Sequence, residues 1–357
     1  MPNYAWRIGR LKNSLMVCMA ALGLCVIGSG LHAEESDFSE RFSMNGYGYL
    51  DYIQTDANTY LDASKTPTWG NNFFALVGSA AVTDRLKLWA QLETGTDNRP
   101  RFTWAFADYQ FNEAVSVHAG TVKMPLGFYN ETVDATLTRP SNMAPFIYQY
   151  ATDLVLDAYN GIGADLHQDI GAGALLLQAY GGNSKDSNPT PGVYDHRLFG
   201  GRIVYRTPIE GLRLMFSETR TLVRIVNGQI VDETVSIASI DYVTDRLDLK
   251  SEYGQHDFLG AKSSSWYVQA AYELSDEWKP YLRYDTFRQE QGPANDPSSF
   301  QRSVIAGVGY AFSPNIVLRT EVLFNHGYAL PVLAGEMTAG SGKVNWDMLV
   351  ASVNFAF

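Results

Sequence analysis

Along most of the chain, apolar and polar side chains alternate one by one. The last stretch carries Leu349, Ala351, Val353, Phe355 and Phe357 on one parity and Ser352 and Asn354 on the other, with Asp347 just ahead. Successive side chains of an extended strand point to opposite faces, so this pattern predicts a two-faced β-strand running to the final residue. Leu86, Leu88, Ala90 and Leu92 alternate in the same way with Arg85, Lys87, Trp89, Gln91 and Glu93. So do Leu247, Leu249, Ser251 and Tyr253 with Arg246, Asp248, Lys250 and Glu252. Trp266, Val268, Ala270, Tyr272 and Leu274 oppose Tyr267, Gln269, Ala271 and Glu273. Together with turn chemistry, the alternation predicts about sixteen strands of roughly 9 to 15 residues. The stretch 101–111 is ambiguous, because Phe102, Trp104 and Phe106 share parity with Asp108.

The predicted connections alternate in length. Short ones fall at Thr83-Asp84, Asn112-Glu113, 169–171, 208–211, Thr244-Asp245, 275–277 and 313–315. Longer ones span 55–71, 124–157, 183–195, 257–264, 291–300 and 327–343, and two further connections on the same side, at 95–98 and Asn227-Gly228, are short. Short turns at one end and longer loops at the other are the habit of bacterial transmembrane barrels. Alternation alone also fits a soluble sandwich or a lipocalin-like barrel, which bury the apolar face instead. Long strands, the aromatic last residue and the short-long rhythm favour an all-β, closed antiparallel transmembrane barrel.

The chain begins with Arg7, Arg10 and Lys12, an apolar run from Leu15 to Ile27, and Leu31-His32-Ala33 ahead of Glu34 and Glu35. This is the layout of a secretory signal peptide, 1–33, cleaved near Ala33 and leaving 34–357 as the barrel. The apolar core is about 13 residues, short of a membrane-spanning helix. Both cysteines, Cys18 and Cys25, fall inside it, and Leu24 stands where a lipoprotein needs a small residue, so no disulfide framework is expected. Beyond the signal, 24 Lys and Arg face 38 Asp and Glu. Such an acidic chain is not expected to bind nucleic acid nonspecifically. Tyrosine is the commonest aromatic, as in the girdles of membrane barrels.

From about residue 40 to Phe357 the chain resembles the Gram-negative porins. The terminal phenylalanine and the long third loop carry the resemblance. So does the stretch Lys123-Met124-Pro125-Leu126-Gly127-Phe128-Tyr129-Asn130-Glu131, followed by Thr138-Arg139-Pro140. The acidic constriction motif of porins is not recognisable. The resemblance implies a homotrimer in the outer membrane, in contact with its lipids, and assembled by machinery that reads Phe357. It further implies that loop 124–157 folds into the lumen and narrows it. Independently, a loop of this length without low complexity is expected to be functional or held by its surroundings.

A water-filled constriction selects by radius and opposed charges. Candidate loop charges are Glu131, Asp134, Asp153, Asp157 and Arg139. Candidate wall charges by parity are Lys87, Arg202, Arg206, Arg246, Lys250, Arg283 and Arg319, with Arg101, His118 and Lys123 flanking the loop. Each wall charge is equally readable as one rung of a solvated, paired ladder, such as Arg283 with Asp285 or Arg319 with Glu321. Tyr267, Tyr281 and Trp89 read as packing residues rather than a sugar track. The expected function is passive diffusion of small hydrophilic solutes or ions, without cofactor. The alternatives are a phospholipase-like barrel enzyme, for which Ser116 and His118 share a strand face, and a surface receptor or adhesin using loops 55–71 and 327–343. Asp165, His167 and Asp169 fit a solvated turn better than a metal site.

Overall fold

The structure, a computed structural model, describes residues 41–69, 72–94, 99–152, 154, 157–185, 197–225 and 228–357. Sixteen strands follow one another: β1 Phe42–Thr55, β2 Asn72–Ala81, β3 Leu86–Thr94, β4 Pro100–Gln110, β5 Val115–Lys123, β6 Ala158–Ile170, β7 Gly173–Lys185 and β8 Arg197–Arg206. They continue as β9 Leu212–Arg224, β10 Ile230–Val243, β11 Leu247–Phe258, β12 Ala261–Tyr272, β13 Trp278–Gln289, β14 Phe300–Ser313, β15 Ile316–Gly327 and β16 Asn345–Ala356. Each pairs antiparallel with its chain neighbours, and β16 returns to β1, so no edge is left open.

Parity decides which side of the wall each residue occupies. On the outer face Trp266, Val268, Leu282, Phe324 and Leu349 are exposed. On the opposite parity of the same strands Gln269, Arg283, Asp285, Glu321, Asn325, Ser352 and Asn354 are buried. The barrel is thus apolar outside and polar inside, the reverse of a lipocalin-like one.

At the seam, Gly46 and Phe357 exchange backbone hydrogen bonds, each N–H donating over 2.8 Å. The Phe357 ring lies over Gly46, where a Cβ would collide with it, and stacks on Phe74 of β2 at 5.8 Å. The last residue therefore ties three strands together at the closing joint.

Two sequence expectations change. The connection expected over 257–264 is only Leu259 and Gly260, both at positive φ, 56° and 78°. Asp257 accepts the Gly260 N–H at 3.0 Å, and β11 and β12 pair right up to Phe258 and Ala261. Consecutive left-handed residues match the twist of a tight hairpin, so the strands run on through a stretch whose polar composition reads as loop. The ambiguity of 101–111 is a bulge: Gln91 pairs with Trp104 and Leu92 with Phe102, leaving Thr103 as the extra residue. Parity flips there, so Phe102 is exposed while Thr103 is buried and Asp108 faces His118.

On the side of the longer loops, residues 57–63, 143–151, Leu154 and 329–330 close over one arc of the wall in an apolar cluster. Tyr60, Met143, Phe146, Leu154 and Leu330 pack there with Ile53, Phe287, Ile305, Leu323 and Trp346. A short helix, α1 Ala329–Leu333, carries Leu330. The Trp346 indole N–H is satisfied by the Gly327 carbonyl at 2.8 Å.

Candidate functional site

The segment 124–157 has no strand or α-helix among its described residues, only 3-10 turns at Asn130–Thr132, Thr136–Thr138, Phe146–Tyr148 and Tyr150–Thr152. Yet 139–148 is buried throughout. A buried irregular chain must find partners for its N–H and C=O groups outside itself. Here the inward parity of the wall supplies them.

Glu321 on β15 accepts from the N–H of Met143 at 2.8 Å, the N–H of Asn142 at 3.2 Å and the Ser141 hydroxyl at 2.7 Å. Tyr281 donates to the same carboxylate at 2.5 Å. Asp285 on β13 accepts the Phe146 N–H at 3.0 Å, and Asp51 on β1 accepts the Asn142 amide at 2.9 Å. Glu252 on β11 takes four donors: Phe128 N–H at 2.9 Å, Tyr148 at 2.6 Å, and Ser239 and Tyr267 each at 2.7 Å. Carbonyls of the segment are met by arginines. Arg283 donates to Met143 at 2.8 Å and Arg319 to Thr136 at 2.9 Å. Thr136 also donates its hydroxyl to Asn354 on β16 at 2.6 Å.

On the opposite arc the closest partners are side-chain carboxylates of the segment. Lys123, buried at the end of β5, bridges Asp134 at 2.9 Å and Asp157. Arg202 on β8 pairs with Glu131 at 2.6 Å and also donates to Gln178 at 2.6 Å and the Gly127 carbonyl at 3.3 Å. Gly127 has φ of 57°, and a Cβ there would strike the Tyr148 hydroxyl, which makes glycine a requirement at this bend.

The structure therefore forms two separate ion-paired groups, Lys123 with Asp134 and Asp157 and Arg202 with Glu131, each a base of the wall facing loop acids. It gives other candidates different work. Arg139 is buried and donates to the carbonyls of Val133, Ser141 and Asn142, so it staples the segment's own fold instead of facing a solute. Arg283 and Arg319 are buried anchors, Arg283 lying 3.2 Å from Asp285. Lys250 pairs with Asp248. Arg246 falls outside β11, exposed in the short turn before it. Lys87 is exposed opposite Asp108, and Arg101 lies 3.7 Å from Glu93. Asp153 is outside the described residues. Tyr267 and Tyr281 pack as expected, each spending its hydroxyl on a wall carboxylate.

Sequence reasoning looked for acids on the loop and bases on the wall. It read Glu252, Asp285 and Glu321 as inward charges of a paired ladder and did not single out Asp51, and their task of meeting loop amides and polar side chains was not legible. Nothing local marks an acid that will meet a backbone N–H from 124 residues away.

The catalytic pairing of Ser116 with His118 does not form: His118 Nε2 shares its hydrogen bond with the Tyr159 hydroxyl at 2.8 Å, and its ring meets Phe106 edge-on. Among the described residues no cluster of three or more His, Cys, Asp or Glu has a geometry to hold a metal ion.

No family model matches the sequence, and neither does any curated protein. Solved structures do match. The anion-selective porin of Comamonas acidovorans superposes with a TM-score of 0.63 at 14% identity, over 88% of this chain and 99% of that one. OmpF of Salmonella typhi, in complex with daunomycin, gives 0.61 at 14% identity, over 88% and 97%. The outer membrane channel DcaP of Acinetobacter baumannii gives 0.55 at 13% identity, over 91% and 99%. The chain has the sixteen-stranded barrel fold of these porins.

Proposed function

We propose that this barrel is an integral outer-membrane channel through which small hydrophilic solutes and ions diffuse passively. The carrying observation is the inversion of the wall, with its large exposed apolar side chains outward and its buried charges inward. Hydrocarbon tolerates only a closed wall with such an outer face, and an inward charged face calls for water. The loop 124–157 lies in the lumen and narrows it, since its partners stand on the inward parity of β1, β8, β9, β11, β13, β15 and β16. The ion-paired sets at Lys123 and at Arg202 then border the remaining path at two separate places.

The same reading places 1–33 as an export signal and the short turns on the periplasmic side. Association as a homotrimer, and recognition of Phe357 by the barrel-assembly machinery, belong to it as well. Deleting Phe357 removes a ring that spans β16, β1 and β2, and is expected to cut the yield of folded barrel in outer membranes severely; normal yield would refute the assembly role.

Planar-bilayer recording tests the central claim. Wild-type protein should open in uniform steps, and removal of residues 131–153 should raise the single-channel conductance. An unchanged conductance in a folded deletion variant sinks the narrowing role of the loop. Inserted wild-type protein that never conducts sinks the channel.

A further inference from the structure

The β8–β9 register sets Arg206 directly opposite Arg213. Like charges facing each other across a strand pair repel, so such a pair needs a compensating anion. Arg213 has one, because Asp241 accepts from it twice, at 3.0 and 2.6 Å, and its guanidinium also lies 5.1 Å from the centre of the Phe128 ring. Arg202, four residues back on the same face as Arg206, has Glu131. Arg206 makes no ion pair and no side-chain hydrogen bond with any described residue, and it is exposed. All three guanidiniums border one hollow of about 340 Å³ at the short-turn end of the barrel. Phe128 and Met215 give it an apolar wall, and Asp169 is the remaining acid at its edge.

We propose that this hollow is a binding subsite for small organic carboxylates, a deepening that rests on the water-filled lumen argued above. Arg206 is the docking cation. Its fork of N–H donors matches the two oxygens of a carboxylate in a plane. Arg213 and Arg202 are locked and largely neutralised by their own acids, so they shape the hollow and leave Arg206 as its one uncompensated guanidinium. Phe128 and Met215 receive the ligand's apolar body, which a bare inorganic anion lacks. The subsite thus favours carboxylates with an aromatic or aliphatic tail over chloride or phosphate.

Benzoate is the probe. Saturation-transfer NMR on the folded, detergent-solubilised barrel measures binding without requiring conduction, and planar-bilayer recording with benzoate on either side reads its effect on current. Wild-type protein should bind benzoate in the millimolar range and prefer it to inorganic phosphate. Arg206→Gln should weaken binding at least about fivefold, Arg206→Lys less so, because an ammonium keeps the charge and loses the fork. Arg288→Gln, at an exposed site on the outer parity of β13, should bind like wild type. Benzoate binding unaltered in Arg206→Gln, or equal affinity for phosphate and benzoate, overturns the assignment. The two readings separate cleanly. A barrel that never conducts yet binds benzoate through Arg206 keeps the subsite and loses the channel, while one that conducts without binding benzoate loses the subsite alone.

Discussion

Two arcs of the same wall use inward charge in opposite ways. From β11 round to β1, the carboxylates of Glu252, Asp285, Glu321 and Asp51 and the guanidiniums of Arg283 and Arg319 are buried and take up backbone groups or polar side chains of the segment after β5. The apolar cluster of Tyr60, Phe146, Leu330 and Trp346 seals their upper side. From β5 to β9, Lys123, Arg202 and Arg213 pair with side-chain carboxylates, and Arg206 stands open. An inward charge is therefore not by itself a sign of conduction. What it meets decides: a charge enclosed by backbone groups of the segment is a structural clamp, whereas one such as Arg206 is left facing a hollow.

Glu321→Ala should break that comparison most severely. It strips Ser141, Asn142 and Met143 of an acceptor and leaves the Tyr281 hydroxyl unpaired in a buried place. The cost should be about 3 kcal/mol or more, since each lost bond to a charged acceptor carries roughly 1.5–3 kcal/mol and the losses are partly shared. Denaturant unfolding in detergent measures it, and freeing of the loop should raise conductance. A variant as stable as wild type would show that the arc is not a clamp.

Glu131→Gln sharpens the other side. Arg202 keeps Gln178 and the Gly127 carbonyl, so the fold should hold while the lumen gains one positive charge. The reversal potential under a salt gradient should move toward anions, with total conductance changing less than about twofold. No movement would place that pair off the conducting path.

The smallest effect concerns the loops above the packed arc. Glu336, just beyond α1, accepts the N–H groups of Leu61 at 2.9 Å and Asp62 at 3.3 Å, two consecutive residues at positive φ, 54° and 61°. Burial raises its carboxyl above the ordinary range, more than the two amides lower it. An acid whose pKa is raised in the closed form destabilises that form when it ionises, so the clasp should be firmest below the ordinary carboxyl range. It should loosen as pH rises through the raised value. Amide exchange at 61 and 62, corrected for intrinsic rates, should show more protection in acid. Glu336→Gln should flatten that dependence, and an unchanged slope would remove Glu336 as its source.

Much of this architecture was legible beforehand. The alternation around Leu247, Trp266 and Leu349 named the right strands and, Arg246 in its turn apart, the right inward sets, because a strand's period of two is a property of the backbone. The turn residues placed the seven short connections. Where reading failed, a local exception had intervened: the bulge at Thr103 inverted parity, and the left-handed Leu259-Gly260 pair closed a hairpin where a longer loop was expected.

The site was only half legible. That Arg202, Arg283 and Arg319 face inward follows from parity and so from sequence alone, while Lys123 was legible only as a charge flanking the loop. That Lys123 and Arg202 meet loop carboxylates while Arg283 and Arg319 vanish under loop carbonyls was decided by the tertiary path of residues 124–157. Pairings such as Asn142 with Asp51 and Thr136 with Asn354 join positions 91 and 218 residues apart. Alternation fixes direction because neighbouring side chains share a pleat. It carries no information about which distant backbone will cross in front of them, and that crossing sets whether a charge is buried and spent or left facing water.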